Sequence, residues 1–251
     1  MITVSNLSKS YGAKKVVQNV SLQISEGKIT SFIGPNGAGK STVLSMMSRL
    51  MKADEGEVVI QGKKLSEWKS NELSKVLAIL KQSNHLSVRL TVRDLVAFGR
   101  FPHSGNNLTE IDNEKIETAL DYMELKPLQD RYLDELSGGQ NQRAFIAMIL
   151  AQDTEYIFLD EPLNNLDMKH SVQIMKLLRK ITDELGKTVV LVIHDINFAS
   201  SYSDEIVALK NGEVMASGPV DEIIQKDVLE SIYEMAFEIQ DLNGKKVCVY
   251  Y

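Results

Sequence analysis

Lysine and serine close a glycine-rich stretch, Gly34-Pro35-Asn36-Gly37-Ala38-Gly39-Lys40-Ser41, that fits G-x-x-x-x-G-K-[ST] at every fixed position. Glycines let a backbone turn its N–H groups inward around a phosphate, and the N-terminus of a following helix adds partial positive charge. The Lys40 ammonium can neutralise β- and γ-phosphates, and the Ser41 hydroxyl can ligate Mg2+. A strand-like run at 29–33 precedes the stretch and a helix-like segment at 42–50 follows it. That context favours nucleotide binding over a chance glycine turn that happens to hold a lysine.

A second run, Tyr156-Ile157-Phe158-Leu159, ends in Asp160-Glu161. Alone it reads as a core strand with a solvated acidic end. Beside a phosphate loop, Asp160 supplies a carboxylate for the outer coordination sphere of Mg2+. Glu161 then supplies a base that orients water at a γ-phosphate. Hydrolysis of a phosphoanhydride needs positioning and charge neutralisation, and these residues offer both.

Leu136-Ser137-Gly138-Gly139-Gln140 is a further small-residue turn that opens a helix, expected over 141–152, and its N–H groups suit a second anion. Ser-Gly-Gly turns are common linkers, so the turn alone says little. The segment nevertheless resembles the signature of ABC ATPases, is continued by Gln142-Arg143, and lies 20 residues before Asp160-Glu161, as that family places it.

The resemblance implies further roles along the chain. Tyr11 matches the aromatic that stacks on adenine, and Thr42 extends the phosphate loop. Gln82 matches the glutamine that senses Mg2+ and the γ-phosphate, and His194 the switch histidine on that phosphate. Leu166-Asp167 matches the end of the loop that crosses the dimer seam. Each has a bland alternative, a surface aromatic for Tyr11 or a structural imidazole for His194, but all stations occur in order. Departures are Asn164-Asn165 where a small residue is frequent, and Asn141 where Arg or Lys is frequent. His85, His103 and His170 match no station and show no metal-ligand spacing, so they read as structural or surface; Trp68 has no assignment.

Elements must position these residues. Strand-like runs at 29–33, 57–60, 76–80, 156–160, 188–193 and 205–209 alternate with helical segments, which predicts an α/β fold with a largely parallel sheet. Asn243-Gly244 predicts a type I′ hairpin, with Val247, Val249 and Tyr251 alternating beyond it. Strand signals fade between about 84 and 155. There Thr109 and Asp112 resemble a helix N-cap, with Ile116, Leu120 and Met123 following on one face. The expected organisation is one ABC ATPase domain with a catalytic core of residues 1–83 and 156–251 and an inserted helical subdomain. The resemblance implies a P-loop NTPase core, RecA-like, with an antiparallel N-terminal β part.

Composition removes other classes. With 43% hydrophobic and 25% charged residues the chain can bury a sizeable core. A net charge of −6 argues against nucleic-acid partners. Cys248 is the only cysteine, so no intrachain disulfide forms. No signal peptide is expected at the start. The longest apolar run, residues 144–151, has eight residues, whereas a membrane span needs roughly 20.

A single cassette without a span resembles importer ATPases. The resemblance then implies ATP and Mg2+ as cofactors, a homodimer of ATPase subunits and two integral-membrane permeases. A substrate-binding lipoprotein acts indirectly, and the site of action is the cytoplasmic face of the membrane. Residues 90–102 are similar to the helical segment of ATPases that serve ferric-siderophore, haem and cobalamin importers, and the similarity is greatest to petrobactin-type subunits. Residues 90–102 also read as an amphipathic helix packed on its own lobe, and both readings can hold; an apolar and basic surface rim near Arg89, Arg93 and Arg100 would favour docking on a permease. The alternatives are a non-transport ABC ATPase, which usually carries two cassettes or a long insertion, and an unrelated P-loop kinase or GTPase, which should lack Ser137-Gly138-Gly139-Gln140.

Overall fold

The computed structural model describes residues 1–82, 88–105 and 107–250; His85 and Tyr251 lie outside them. In chain order the elements are β1 (Ile2–Tyr11), β2 (Lys14–Ile24), β3 (Ile29–Ile33), α1 (Lys40–Met47), β4 (Glu55–Ile60), β5 (Lys63–Lys64), α2 (Ser70–Leu73) and β6 (Leu77–Leu80). Then come α3 (Val92–Phe98), α4 (Phe101–Ser104), α5 (Glu110–Tyr122), α6 (Gly138–Ala151), β7 (Tyr156–Asp160), α7 (Met168–Leu185), β8 (Thr188–Val192) and α8 (Ile196–Tyr202). The chain ends with β9 (Glu205–Lys210), β10 (Glu213–Pro219), α9 (Val220–Ile223), α10 (Lys226–Tyr233), β11 (Glu238–Leu242) and β12 (Lys245–Val249). These elements form two compact units, Met1–Trp68 with Thr188–Tyr251, and Lys69–Lys187.

In the first unit, β3 pairs in parallel with β8 on one side and β9 on the other, and β10 is antiparallel to β9. Every residue of β3 and β8 is buried, the polar Thr30, Ser31 and Thr188 included, as expected of strands covered on both faces of a parallel sheet. A separate antiparallel sheet has the order β2-β1-β4-β5. Its first two strands are absent from the strand-like runs of the sequence, although the family resemblance implied an antiparallel N-terminal part, because their register shifts repeatedly between Val4 and Ser10. Asn6 and Asn19 there take φ of 53° and 49°, a left-handed conformation that asparagine tolerates. Bulges of this kind break the period-2 pattern on which strand recognition depends. The C-terminal hairpin forms as expected: Leu242 pairs with Lys245 and the turn residues Asn243 and Gly244 have φ of 56° and 75°.

In the second unit, β6 and β7 pair in parallel, with Leu80 opposite Leu159. All described elements between these strands are helical. Helices α3, α5 and α6 pack on one another. Gly99, just after α3, lies so close to α6 that a Cβ there would sit 2.1 Å from the Met148 carbonyl oxygen. Thr109 and Asp112 form the expected reciprocal cap of α5, and Ile116, Leu120 and Met123 are buried. Helix α6 starts at Gly138, earlier than position 141, because Ser137 caps it.

Candidate functional site

The first unit carries the phosphate loop. It leaves the buried end of β3 at Gly34, whose φ is 137° and where a Cβ would fall 2.0 Å from the Leu209 carbonyl oxygen. Gly39 is also cramped, though less so: its φ is 96° and a Cβ would lie 2.8 Å from the Val16 carbonyl oxygen. No other residue type fits either position without moving backbone. Gly34 N–H donates to the Tyr233 hydroxyl at 3.0 Å, Ala38 N–H to the Pro35 carbonyl at 3.2 Å, and Gly212 N–H to the Ala38 carbonyl at 3.1 Å. Burial pushes the Tyr233 hydroxyl up to about 12, so it meets the loop as a neutral group. Sequence reasoning missed Tyr233, which comes 199 residues after Gly34 in a helix with no motif of its own.

Lys40 is the first residue of α1 and is 5% exposed. Its ammonium donates to the carbonyls of Gly34 at 2.7 Å and Pro35 at 2.9 Å. A buried charge needs such partners, and these hold the ammonium inside the loop. Ser41 and Thr42 are half-buried on the first turn of the same helix.

His194 lies beyond β8 in the same unit, exposed. In the β3–β8 register Phe32 is opposite Val192, so Gly34 and His194 each sit two residues past one cross-strand pair, at the carboxyl ends of neighbouring parallel strands. Ligands of open parallel sheets bind at such ends. Tyr11, at the end of β1, is 53% exposed. Its hydroxyl donates to Met51 Sδ at 3.1 Å, and the Lys9 ammonium stands 5.9 Å from its ring centroid. Asp54 pins this strand end by accepting from Lys9 Nζ at 2.6 Å and Ser10 N–H at 2.8 Å. The ring therefore offers an open face for stacking.

The second unit carries the carboxylates and the signature turn. Asp160 ends β7 half-buried, and Glu161 follows with φ of 51°. Gln82 Nε2 donates to Glu161 Oε2 at 2.7 Å. Asn164 Nδ2 donates to the same oxygen, a role that the sequence reading did not give it. Ser137 Oγ accepts from Gln140 N–H at 3.3 Å while Gln140 Oε1 accepts from Ser137 N–H at 3.0 Å, a reciprocal cap that shapes the turn. Ser137 and Gly138 are exposed and Gly139 is buried. Asp167 caps α7, accepting from His170 N–H at 2.8 Å. That bond, opposed in part by burial, holds its carboxyl below the usual range.

The expected basic rim is corrected in part: Arg89 is exposed, with its guanidinium 3.8 Å from the Tyr132 ring centroid, but Arg100 is not. Arg100 is 4% exposed; its Nε donates to Asp112 Oδ1 at 2.8 Å and its NH1 to the Ala151 carbonyl at 2.7 Å. Burial works against the Asp112 carboxylate, yet bonds from Thr109 and from Arg100 hold it well below the usual range. Arg93 is engaged with Glu117 and Gln129. This face also exposes aromatic rings: Phe98 and Phe101, 55% and 59% exposed, beside a groove of about 270 Å3 that Leu90, Ala97 and Leu108 also line. His103 reaches the Gln152 carbonyl at 2.9 Å, a structural contact. Trp68 carries the Lys63 ammonium 4.6 Å from its ring centroid.

The donors suit a Mg-nucleotide. Cramped glycines let backbone approach a phosphate closely, and hydroxyl, carboxamide and carboxylate oxygens are the hard ligands that Mg2+ takes. Among the described residues no cluster of three His, Cys, Asp or Glu side chains could hold a metal by itself, and no helix is long and apolar enough to cross a membrane.

The family model described as ABC transporter matches residues 17–164. The chain is 61% identical, over all of both sequences, to the petrobactin import ATP-binding protein YclP of Bacillus subtilis. It is 50% identical, over 95% of this chain and 96% of the relative, to the petrobactin import ATP-binding protein FatE of Bacillus anthracis. A solved dimer of the ATP-binding cassette MJ0796, in a post-hydrolysis state bound to ADP and Pi, is 35% identical, with a TM-score of 0.77 over 88% of this chain and 99% of that one. With its phosphate loop, paired carboxylates and signature turn, the chain belongs to the ABC transporter family and is an ATP-binding, ATP-hydrolysing member of it.

Proposed function

We propose that the chain energises uptake of a ferric siderophore, of the petrobactin class, across the cytoplasmic membrane. The observation that carries this is the 61% identity to a petrobactin import protein along the entire chain. Two copies of the chain pair with each other and with two integral-membrane permeases, and a substrate-binding lipoprotein delivers the cargo from outside. The chain is peripheral, on the cytoplasmic face. Its net charge of −6 disfavours nucleic acid as a partner.

In this reading Tyr11 stacks on adenine, and the loop of Gly34, Pro35, Asn36, Gly37, Ala38 and Gly39, with Lys40, Ser41 and Thr42, cradles the phosphates. Ser41, Gln82 and Asp160 would hold Mg2+, which neutralises phosphate charge when bound. Glu161 accepts the proton of the attacking water, with Gln82 and Asn164 fixing its carboxylate, and His194 contacts the γ-phosphate. Ser137, Gly138, Gly139, Gln140 and Asp167 face the nucleotide held by the partner copy.

Growth under iron limitation tests the cargo. A deletion strain should lose growth on ferric petrobactin, keep growth on haem and recover with the wild-type gene but not with Lys40→Ala. Normal use of ferric petrobactin with lost cobalamin uptake would overturn the assignment.

A further inference from the structure

We infer that His170 is a positioning residue that locks the signature turn to the Asp167 loop. Its imidazole occupies the space beside Gly139: a Cβ there would lie 2.3 Å from His170 Cδ2 and 2.6 Å from Cγ. Its other edge is tied down, with Nδ1 2.8 Å from Asp167 Oδ1. A carboxylate only accepts, so Nδ1 is the donor in that bond. The backbone N–H of His170 donates to the same Asp167 oxygen at 2.8 Å. One carboxylate therefore fixes both the main chain and the ring of His170.

The neighbouring glycine reports the same packing. A Cβ on Gly138 would make an ordinary contact with Leu166 Cδ2 at 3.9 Å, so the turn faces the segment that ends in Asp167 at Gly138 and is crowded by the His170 ring only at Gly139. On its own side the turn is stiffened by the reciprocal cap of Ser137 and Gln140. Between two stiff pieces, the His170 ring acts as the connecting wedge. Gly139 is required because the ring leaves no room for a methyl group.

This rests on the reading that residues 137–140 close on a nucleotide held by a partner copy. In that arrangement the ring aims the Ser137 hydroxyl and the N–H groups behind it, and shifts of the Asp167 loop carry to the turn as one motion. In this arrangement His170 acts through the turn and the Asp167 loop rather than at the phosphate loop, so its loss should weaken closure of the pair and leave binding at the phosphate loop intact.

The full chain with Glu161→Gln provides the test, by gel filtration across an Mg-ATP titration. Adding His170→Ala should raise the ATP needed for half-maximal dimer about tenfold, as expected when coupled neighbours are uncoupled. Binding of a fluorescent ATP analogue to the monomer should not change. His170→Asn, whose amide still donates to Asp167, should recover part of the loss. An unchanged midpoint in His170→Ala overturns the inference alone. So does equal loss in both variants together with lost monomer binding and early melting, which marks a merely structural role. If the Glu161→Gln parent shows no ATP-dependent dimer, the seam reading falls and the inference with it.

Discussion

Gln82 Nε2 and Glu161 Oε2 stand 2.7 Å apart, and the strand register explains why. Leu80 and Leu159 are opposite each other in the parallel pair β6–β7, and each of the two polar residues lies two positions farther on. With Asn164 donating to the same oxygen, two amides hold the carboxylate in a single orientation. The variant Glu161→Gln keeps that shape but removes the base. Steady-state ATP turnover should fall about 100-fold or more, the scale of a lost general base, while ATP binding persists and gel filtration shows an ATP-dependent dimer. Turnover within twofold of wild type would remove Glu161 from the mechanism. Asn164→Ala should cost less, because Gln82 still orients the carboxylate.

Lys40→Ala tests the phosphate loop. Its ammonium is held among the loop's own carbonyls, and losing one charge-stabilising group of this kind raises a barrier by ~3 kcal/mol, about 100-fold in rate. ATPase activity at saturating Mg-ATP should drop by that factor with an unchanged circular dichroism spectrum. Near-wild-type turnover would sink the assigned role.

The Arg100–Asp112 pair makes a stability prediction. Both side chains are buried, so Arg100→Ala strands the Asp112 carboxylate and should cost about 3 kcal/mol in urea unfolding. The folded protein holds the Asp112 carboxyl below its ordinary value, and so the ionised form is the stabilising one. That contribution is fully present above the unfolded carboxyl pKa of about 4 and is lost as pH falls toward the lower folded value. The stability gap between wild type and Asp112→Asn should therefore shrink on acidification below about pH 5; a gap that widens would contradict the cause given.

Phe98 and Phe101 carry the proposed permease contact. Since Arg100 is buried and Arg93 is engaged within its own unit, the exposed aromatic rings, with Arg89, are the groups available to a partner. Phe98→Ala with Phe101→Ala should reduce co-purification with the permeases and siderophore uptake at least fivefold, on the scale of lost aromatic anchors. Basal ATPase should be preserved. Undiminished co-purification would place the contact elsewhere.

Chemistry that is local in the chain can be read from the order of its residues. Residues 34–41 are legible because the positive φ of Gly34, Gly37 and Gly39 and the helix start after them are properties of neighbouring residues. The Asn243-Gly244 turn and the Thr109–Asp112 cap are legible for the same reason. Tertiary structure decided what depends on groups distant in sequence. Tyr233 meets Gly34 across 199 residues, and His170 fills the space that makes Gly139 a glycine. The amphipathic pattern of residues 90–102 also does not show whether an arginine faces water or a buried acid. Arg100 went inward because Asp112 and the Ala151 carbonyl were there to satisfy it, and burial of a charge is set by such three-dimensional partners rather than by its own flanking residues.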